Sequence, residues 1–168
     1  MKKFSGKVEI HWSDYKPYAG ECVRYVAPIG NQFFVMELQR CDIDYCGDDV
    51  SIKWNINQCI VDELTDEAIY TVSEEISTGR TPFATYPTAM RGLRKLLQFM
   101  EEEYEFDDDA EVVYHHLYAL GTTDRRHDIY GKILKKMGWD ERNWDGYDCY
   151  HTVIMRCGNG IKVEYRED

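Results

Sequence analysis

The chain has 168 residues, of which 43% are hydrophobic and 30% charged, a balance typical of a globular protein large enough for a real core. Its formal net charge of −11 excludes general binding to nucleic acid, whose backbone demands a positive surface. No run of about 18 apolar residues occurs, and the N-terminus lacks the apolar segment of a signal peptide. We therefore expect one domain over residues 1–168, no membrane partner and a cytoplasmic location.

The six cysteines contain no Cys-x-x-Cys pair, and the spacing of Cys41 and Cys46 is loose for a zinc site. Free cysteines are commonly small buried side chains, so we expect reduced thiols without a metal. His115, His116 and His127 belong to no recognised metal motif.

The first 75 residues predict an antiparallel meander. Lys7–Trp12 alternates polar and apolar residues as a half-buried strand does. Turn sequences at Pro28–Asn31 and Cys46–Asp49 separate further β-prone runs. The predicted strands are Lys7–Trp12, Glu21–Val26, Gln32–Arg40, Ser51–Val61 and Glu67–Val72.

After Thr81 the apolar residues follow helical spacing instead of strand-like alternation. A first helix opens at Pro87–Ala89 and ends near Tyr104, and its apolar stripe has helical spacing: Met90, Leu93, Leu96, Leu97 and Met100. Glu111–Leu120 predicts a strand, and Asp124–Met137 a second helix that stops at Gly138. Strands at Tyr147–Met155 and Ile161–Tyr165 complete a mixed α/β (α+β) domain.

Charges near the start of the first helix suggest an anion site. Arg91, Arg94 and Lys95 lie towards its N-terminal end, where the helix dipole disfavours cations. A bound phosphate would relieve this arrangement, and Arg80 and Thr81 lie just upstream. The alternative is a solvated surface helix.

The second helix repeats this pattern and adds a proton donor. Thr122, Arg125 and Arg126 lie at its start, near the end of the preceding strand, where open sheets often bind ligands. Tyr130 follows one turn later and would be protonated at neutral pH, with an ordinary pKa of about 10. The alternative is a tyrosine packed beneath the sheet.

The order of helix, strand, helix and strand over Thr81–Met155 resembles the C-terminal half of the GNAT acyltransferase fold. In that family the first helix receives the coenzyme A pyrophosphate, and a tyrosine on the second protonates the leaving thiolate. Tyr130 and Gly138-Trp139 match the family's tyrosine and its Gly-aromatic helix end. The resemblance implies a GNAT-like mixed central sheet, with Arg80, Thr81, Arg91, Thr122, Arg125 and Arg126 as candidate contacts of acetyl-CoA.

An acetyltransferase needs a base for its amine acceptor, a small molecule or a peptide. Glu37 on the third predicted strand and His116 on the strand before Tyr130 are the candidates. His115 and His116 point to opposite faces, because side chains alternate along a strand. Direct attack of the amine on the thioester needs no enzyme nucleophile.

A non-catalytic interaction protein is the second hypothesis. The glycine-containing pyrophosphate loop of the family has no counterpart in Gly79–Pro87. A degenerate scaffold with a net charge of −11 would bind a protein partner, for example as an inhibitor of viral type that imitates nucleic acid. A homodimer is compatible with either hypothesis.

Overall fold

The structure is a computed structural model that describes residues 7–13, 20–64, 82–106, 110–119, 131–144 and 147–157. The predicted strands Glu67–Val72 and Ile161–Tyr165 lie outside these ranges. So does the predicted start of the second helix.

Seven strands and two helical segments make up the described chain. The strands are β1 (Lys7–Ser13), β2 (Gly20–Ile29), β3 (Gln32–Cys46), β4 (Asp49–Val61), β5 (Val112–Ala119), β6 (Asp140–Trp144) and β7 (Tyr147–Cys157). Helix α1 covers Pro82–Glu102, and residues 131–136 form a second helical segment, α2. No helix among these residues is long and apolar enough to cross a membrane.

The strands form one sheet in the order β1-β2-β3-β4-β5-β7-β6. The pairs β1–β2 and β2–β3 are antiparallel, and a two-residue turn joins β3 to β4, so the predicted N-terminal meander is confirmed. Strand β7 lies between β5 and β6 and is antiparallel to both. The mixed α+β class is therefore confirmed.

Several predicted boundaries were wrong. Pro28 and Ile29 belong to β2 instead of a turn, and β3 continues six residues past Arg40 to Cys46. Helix α1 begins at Pro82, five residues before Pro87, which lies inside it. Strand β6 was not predicted, because its sequence DERNW carries no alternating apolar pattern.

The chain divides into two compact units. Unit 1 comprises Met1–Arg40 and Asn55–Phe99, and unit 2 comprises Cys41–Trp54 and Met100–Asp168. Strands β3 and β4 contribute residues to both units. One domain over residues 1–168 stays a prediction.

In unit 1 helix α1 lies close against β2. Gly92 is buried, and a Cβ atom at its position would lie 2.6 Å from Cδ1 of Tyr25. Only glycine permits this approach without a shift of the tyrosine ring. Of the predicted stripe, Leu93 and Leu96 are buried beside it, whereas Met90 and Leu97 are half-buried.

In unit 2 segment α2 ends where the sequence predicts. Gly138 has a φ of 89°, a left-handed conformation that glycine adopts without penalty. Its N–H donates to Lys135 O (3.1 Å) and the Trp139 N–H donates to Leu134 O (3.0 Å). These two bonds define a Schellman C-cap, in which the buried Trp139 and Leu134 supply the accompanying apolar pair.

Candidate functional site

Strand β5 presents its two adjacent histidines to opposite faces of the sheet. Alternate residues of the strand are buried, and His115 is among them, whereas His116 is half-buried. This confirms that the two side chains point to opposite faces. The inner and outer faces of β5 therefore carry one histidine each.

On the inner face His115 is held by aromatic neighbours. Trp54 donates its indole N–H to Nδ1 of His115 at 3.0 Å, and the Tyr104 ring stands edge-on at a centroid distance of 5.0 Å. Because Nδ1 accepts, the proton of the neutral ring is on Nε2. That atom is buried and has no hydrogen-bond partner among the described residues. Burial, with the charges of Arg156 and His116, lowers the pKa of His115 to about 4.

On the outer face His116 is joined to His151 of β7. The distance from His116 Nδ1 to His151 Nε2 is 3.0 Å, and the ring planes are inclined by 13°. The centroids are 5.3 Å apart, which equals the N–N distance plus the two ring radii. The rings are therefore joined edge to edge by one N–H···N hydrogen bond. Tyr118 lies directly opposite His151 in the strand register, with its ring centroid at 4.7 Å.

The electrostatic surroundings keep both outer-face histidines uncharged. Burial, then Lys53 and Arg142, lower the pKa of His116. Burial, then His116 and Arg142, lower the pKa of His151 to about 4, and Asp140 opposes this shift. At pH 7 the pair is therefore neutral, with a ring nitrogen available as a proton acceptor. Neutral imidazole is the form in which histidine acts as a base.

Asp140 and Arg142 reach this pair from β6. Asp140 is the register partner of His151, and Arg142 is the partner of Cys149, two residues before His151. Side chains of paired residues lie on one face of a sheet, so both charges lie on the His116 side. We call His116, Tyr118, His151, Asp140, Arg142 and Lys53 the outer-face cluster.

Glu37, the other candidate base, lies in unit 1 and is fully buried. Arg24, its register partner on β2, donates both Nε and Nη2 to Glu37 Oε2, each at 2.9 Å. The second oxygen, Oε1, is buried without a hydrogen-bond partner among the described residues. An acceptor substrate would have to reach a carboxylate with no solvent-exposed surface in this structure.

Two further polar residues line the same face of unit 1. Cys22 and Gln39 are register partners, and Gln39 Nε2 lies 4.0 Å from Cys22 Sγ. Burial and the neighbouring Glu37 raise the pKa of the Cys22 thiol. A thiol of raised pKa stays protonated and unreactive, so Cys22 is a structural cysteine.

Arg91 is the one candidate cofactor contact that the structure describes. It is exposed, nine residues after the first residue of α1 and thus about 13 Å along the helix axis. Its placement at the helix N-terminus was therefore wrong, because the helix starts earlier than the sequence predicts. Its guanidinium acts on Tyr25, where it opposes the rise in pKa that burial causes. The remaining candidates lie outside the described residues: Arg80, Thr81, Thr122, Arg125, Arg126 and Tyr130.

Sequence reasoning identified His116 but missed its partners. Nothing in the sequence fixes which residue of β7 lies opposite Tyr118, because register depends on the pairing of distant strands. Asp140 and Arg142 were missed together with β6. Among the described residues no three His, Cys, Asp or Glu side chains converge as metal ligands.

No protein-family model, no curated protein and no solved structure matches this chain.

Proposed function

We propose that the protein is a GNAT-like N-acetyltransferase, which transfers an acetyl group from acetyl-CoA to an amine by direct attack. The order α1, β5, α2, β6 and β7 supports the proposal, since it agrees with the helix, strand, helix and strand order of the GNAT fold. The Schellman C-cap at Gly138-Trp139 also supports the proposal, because it corresponds to the Gly-aromatic helix end of that family. Fold alone does not establish activity, which depends on the residues of a site.

The observation that carries the proposal is the neutral, half-buried imidazole of His116 on β5. Its Nδ1 is occupied by the bond to His151, so Nε2 is the ring nitrogen left to face a substrate. Nε2 is thus able to take the proton that an attacking amine must lose. Glu37 is the weaker candidate base, because Arg24 and the protein interior surround its carboxylate.

In this proposal Tyr130 protonates the departing thiolate. Tyr130 lies outside the described residues. The next residue in the chain is Gly131, the first described residue of α2, whose backbone lies against the Tyr150 hydroxyl. By the resemblance, Thr122, Arg125 and Arg126 at the start of the second helix are candidate contacts of the cofactor phosphates, and Arg80 and Thr81 are the candidates before α1. The acceptor would be a small-molecule or peptide amine in the cytoplasm.

Binding of acetyl-CoA tests the proposal. A ligand that binds only the folded state stabilises it and so raises Tm. At a ligand concentration of one hundred times Kd, the free energy of unfolding rises by about 2.7 kcal/mol. We expect millimolar acetyl-CoA to raise Tm and Arg125→Ala to weaken the shift. Lys132→Ala, at an exposed position of α2, is the matched control and should not weaken it. An unchanged Tm at millimolar acetyl-CoA would remove the acyltransferase proposal.

The exposed acidic end of the β3–β4 hairpin favours the second candidate, a non-catalytic interaction protein. Asp42, Asp44 and Asp48 are exposed there, and the Tyr45 side chain is 58% exposed. Spaced carboxylates beside an aromatic ring could engage the basic surface of a nucleic-acid-binding protein. Salt-sensitive capture of such a protein, lost in Asp42→Asn/Asp44→Asn, would support this candidate.

A further inference from the structure

The His116–His151 hydrogen bond restricts where the protons of the two rings can be. Each neutral imidazole has one N–H and one lone pair. The bond joins His116 Nδ1 to His151 Nε2, so one of these two nitrogens donates and the other accepts. Only two arrangements of the pair are therefore compatible with the geometry.

The two arrangements differ in the atom that is left basic. If His116 donates from Nδ1, its Nε2 keeps a lone pair and His151 has its proton on Nδ1. If His151 donates from Nε2, then His116 Nε2 carries a proton and cannot act as a base. His116 is half-buried whereas His151 is buried, so the first arrangement places the basic atom on the more accessible ring.

The charges around the pair favour the first arrangement. Asp140 faces His151 from β6 and attracts a proton towards that ring. Lys53 from β4 acts on His116, and Arg142 from β6 acts on both rings. Because Arg142 acts on both rings, the two rings differ by Asp140, which faces His151, and by Lys53, which acts on His116. This difference favours a proton on the edge of the His151 ring that faces β6. Tyr118 packs against His151 and limits rotation of its ring.

We propose that His151 is a positioning residue, whose Nε2 accepts a hydrogen bond from the Nδ1–H of His116 and so keeps His116 Nε2 unprotonated to receive a proton from the acceptor amine. This inference rests on the proposed acetyl transfer. In that step the amine nitrogen bonds to the thioester carbon, the C–S bond breaks, the amine proton goes to His116 Nε2, and the thiolate leaves and is protonated. Proton exchange with water then restores His116.

The tautomer can be measured on the wild-type protein without substrate. Long-range ¹H–¹⁵N spectra at pH 7.5 should show His116 protonated at Nδ1 and unprotonated at Nε2. A His116 ring with its proton on Nε2 would overturn the inference. This result does not depend on whether acetyl-CoA is the substrate, so it separates failure of the inference from failure of the proposed function.

Variants of His151 provide the second test. Glutamine can place its amide oxygen near the position of Nε2, so His151→Gln should keep kcat within about threefold of wild type. Leucine offers no acceptor, so His151→Leu should lower kcat about tenfold or more and leave the KM for acetyl-CoA unchanged. Equal kcat values for His151→Leu and wild type would also overturn the inference. If His151→Leu does not fold, the tautomer of His116 in the wild-type protein is the test of the inference.

Discussion

Trp54 donates its indole N–H to Nδ1 of His115 at 3.0 Å, and this bond joins β4 to β5 inside unit 2. Both side chains are fully buried, and Tyr104 stands edge-on to each ring. A buried hydrogen bond between two aromatic side chains fixes ring orientation as well as distance. The outer-face histidine, His116, is therefore attached to a strand whose inner face is held in one arrangement.

Acid should destabilise the protein through His115. Its folded-state pKa of about 4 lies below the ordinary value of 6.5, so the unfolded chain binds the extra proton. The neutral, buried His115 therefore contributes to the free energy of unfolding above pH 6.5. This contribution, about 3 kcal/mol at most, is lost as the pH falls towards 4. The free energy of unfolding, measured with urea, should fall less between pH 7.5 and pH 4 for His115→Phe than for the wild type. Equal losses would contradict this assignment.

The Trp54–His115 bond should appear as a coupling energy. His115→Phe leaves the Trp54 N–H buried without its acceptor, and Trp54→Phe leaves Nδ1 without its donor. An unsatisfied buried group costs about 1–3 kcal/mol. The double variant should therefore lose less unfolding free energy than the sum of the two single variants at pH 7.5. Strict additivity would show that the bond contributes nothing.

The Arg24–Glu37 pair should be intolerant of single substitutions. Glu37→Gln removes the charged acceptor of two buried Arg24 contacts, which should cost about 1–3 kcal/mol of unfolding free energy. The apolar double variant Arg24→Met/Glu37→Leu should recover most of that loss. The half-buried Glu21–Arg40 pair, at 3.9 Å, is the control, and Glu21→Gln should cost about 1 kcal/mol or less. A mild effect of Glu37→Gln would argue against a buried ion pair.

Gly92→Ala should destabilise the protein although alanine is the better helix former. Propensity favours alanine by about 1 kcal/mol, but the new Cβ would overlap the Tyr25 ring, and overpacking typically costs about 1–3 kcal/mol. We expect a lower Tm by circular dichroism. Arg94→Ala, at an exposed position of the same helix, should leave Tm nearly unchanged. A stabilised Gly92→Ala protein would contradict the close helix–strand approach.

The sequence predicted those parts of the fold that depend on local patterns. Alternation in β5 separated His115 from His116, and helical spacing identified Leu93 and Leu96 as core residues. Gly138 was identified as a helix stop because a left-handed residue there is a local requirement. These features depend on residues only a few positions apart.

Long-range pairing was not predictable in the same way. His151 reaches His116 only because β7 pairs with β5, and Arg24 meets Glu37 only through the β2–β3 register. A charged five-residue strand such as β6 has no apolar signature, so Asp140 was missed. Glu37 was predicted as a candidate base because it is a polar residue on a β-prone strand. The sequence does not show that its carboxylate forms an ion pair with Arg24.

The most direct test of the proposed function is amine-dependent release of coenzyme A. Wild-type protein with saturating acetyl-CoA should release thiol in the presence of a small-molecule or peptide amine, and mass spectrometry should detect the acetylated product. Tyr130→Phe should lower turnover by about a hundredfold or more and leave the Kd of acetyl-CoA nearly unchanged. Tyr114→Phe, on the half-buried face of β5, is the matched control and should retain turnover. Absence of amine-dependent release across aliphatic amines and peptide amines would contradict the proposed acetyl transfer.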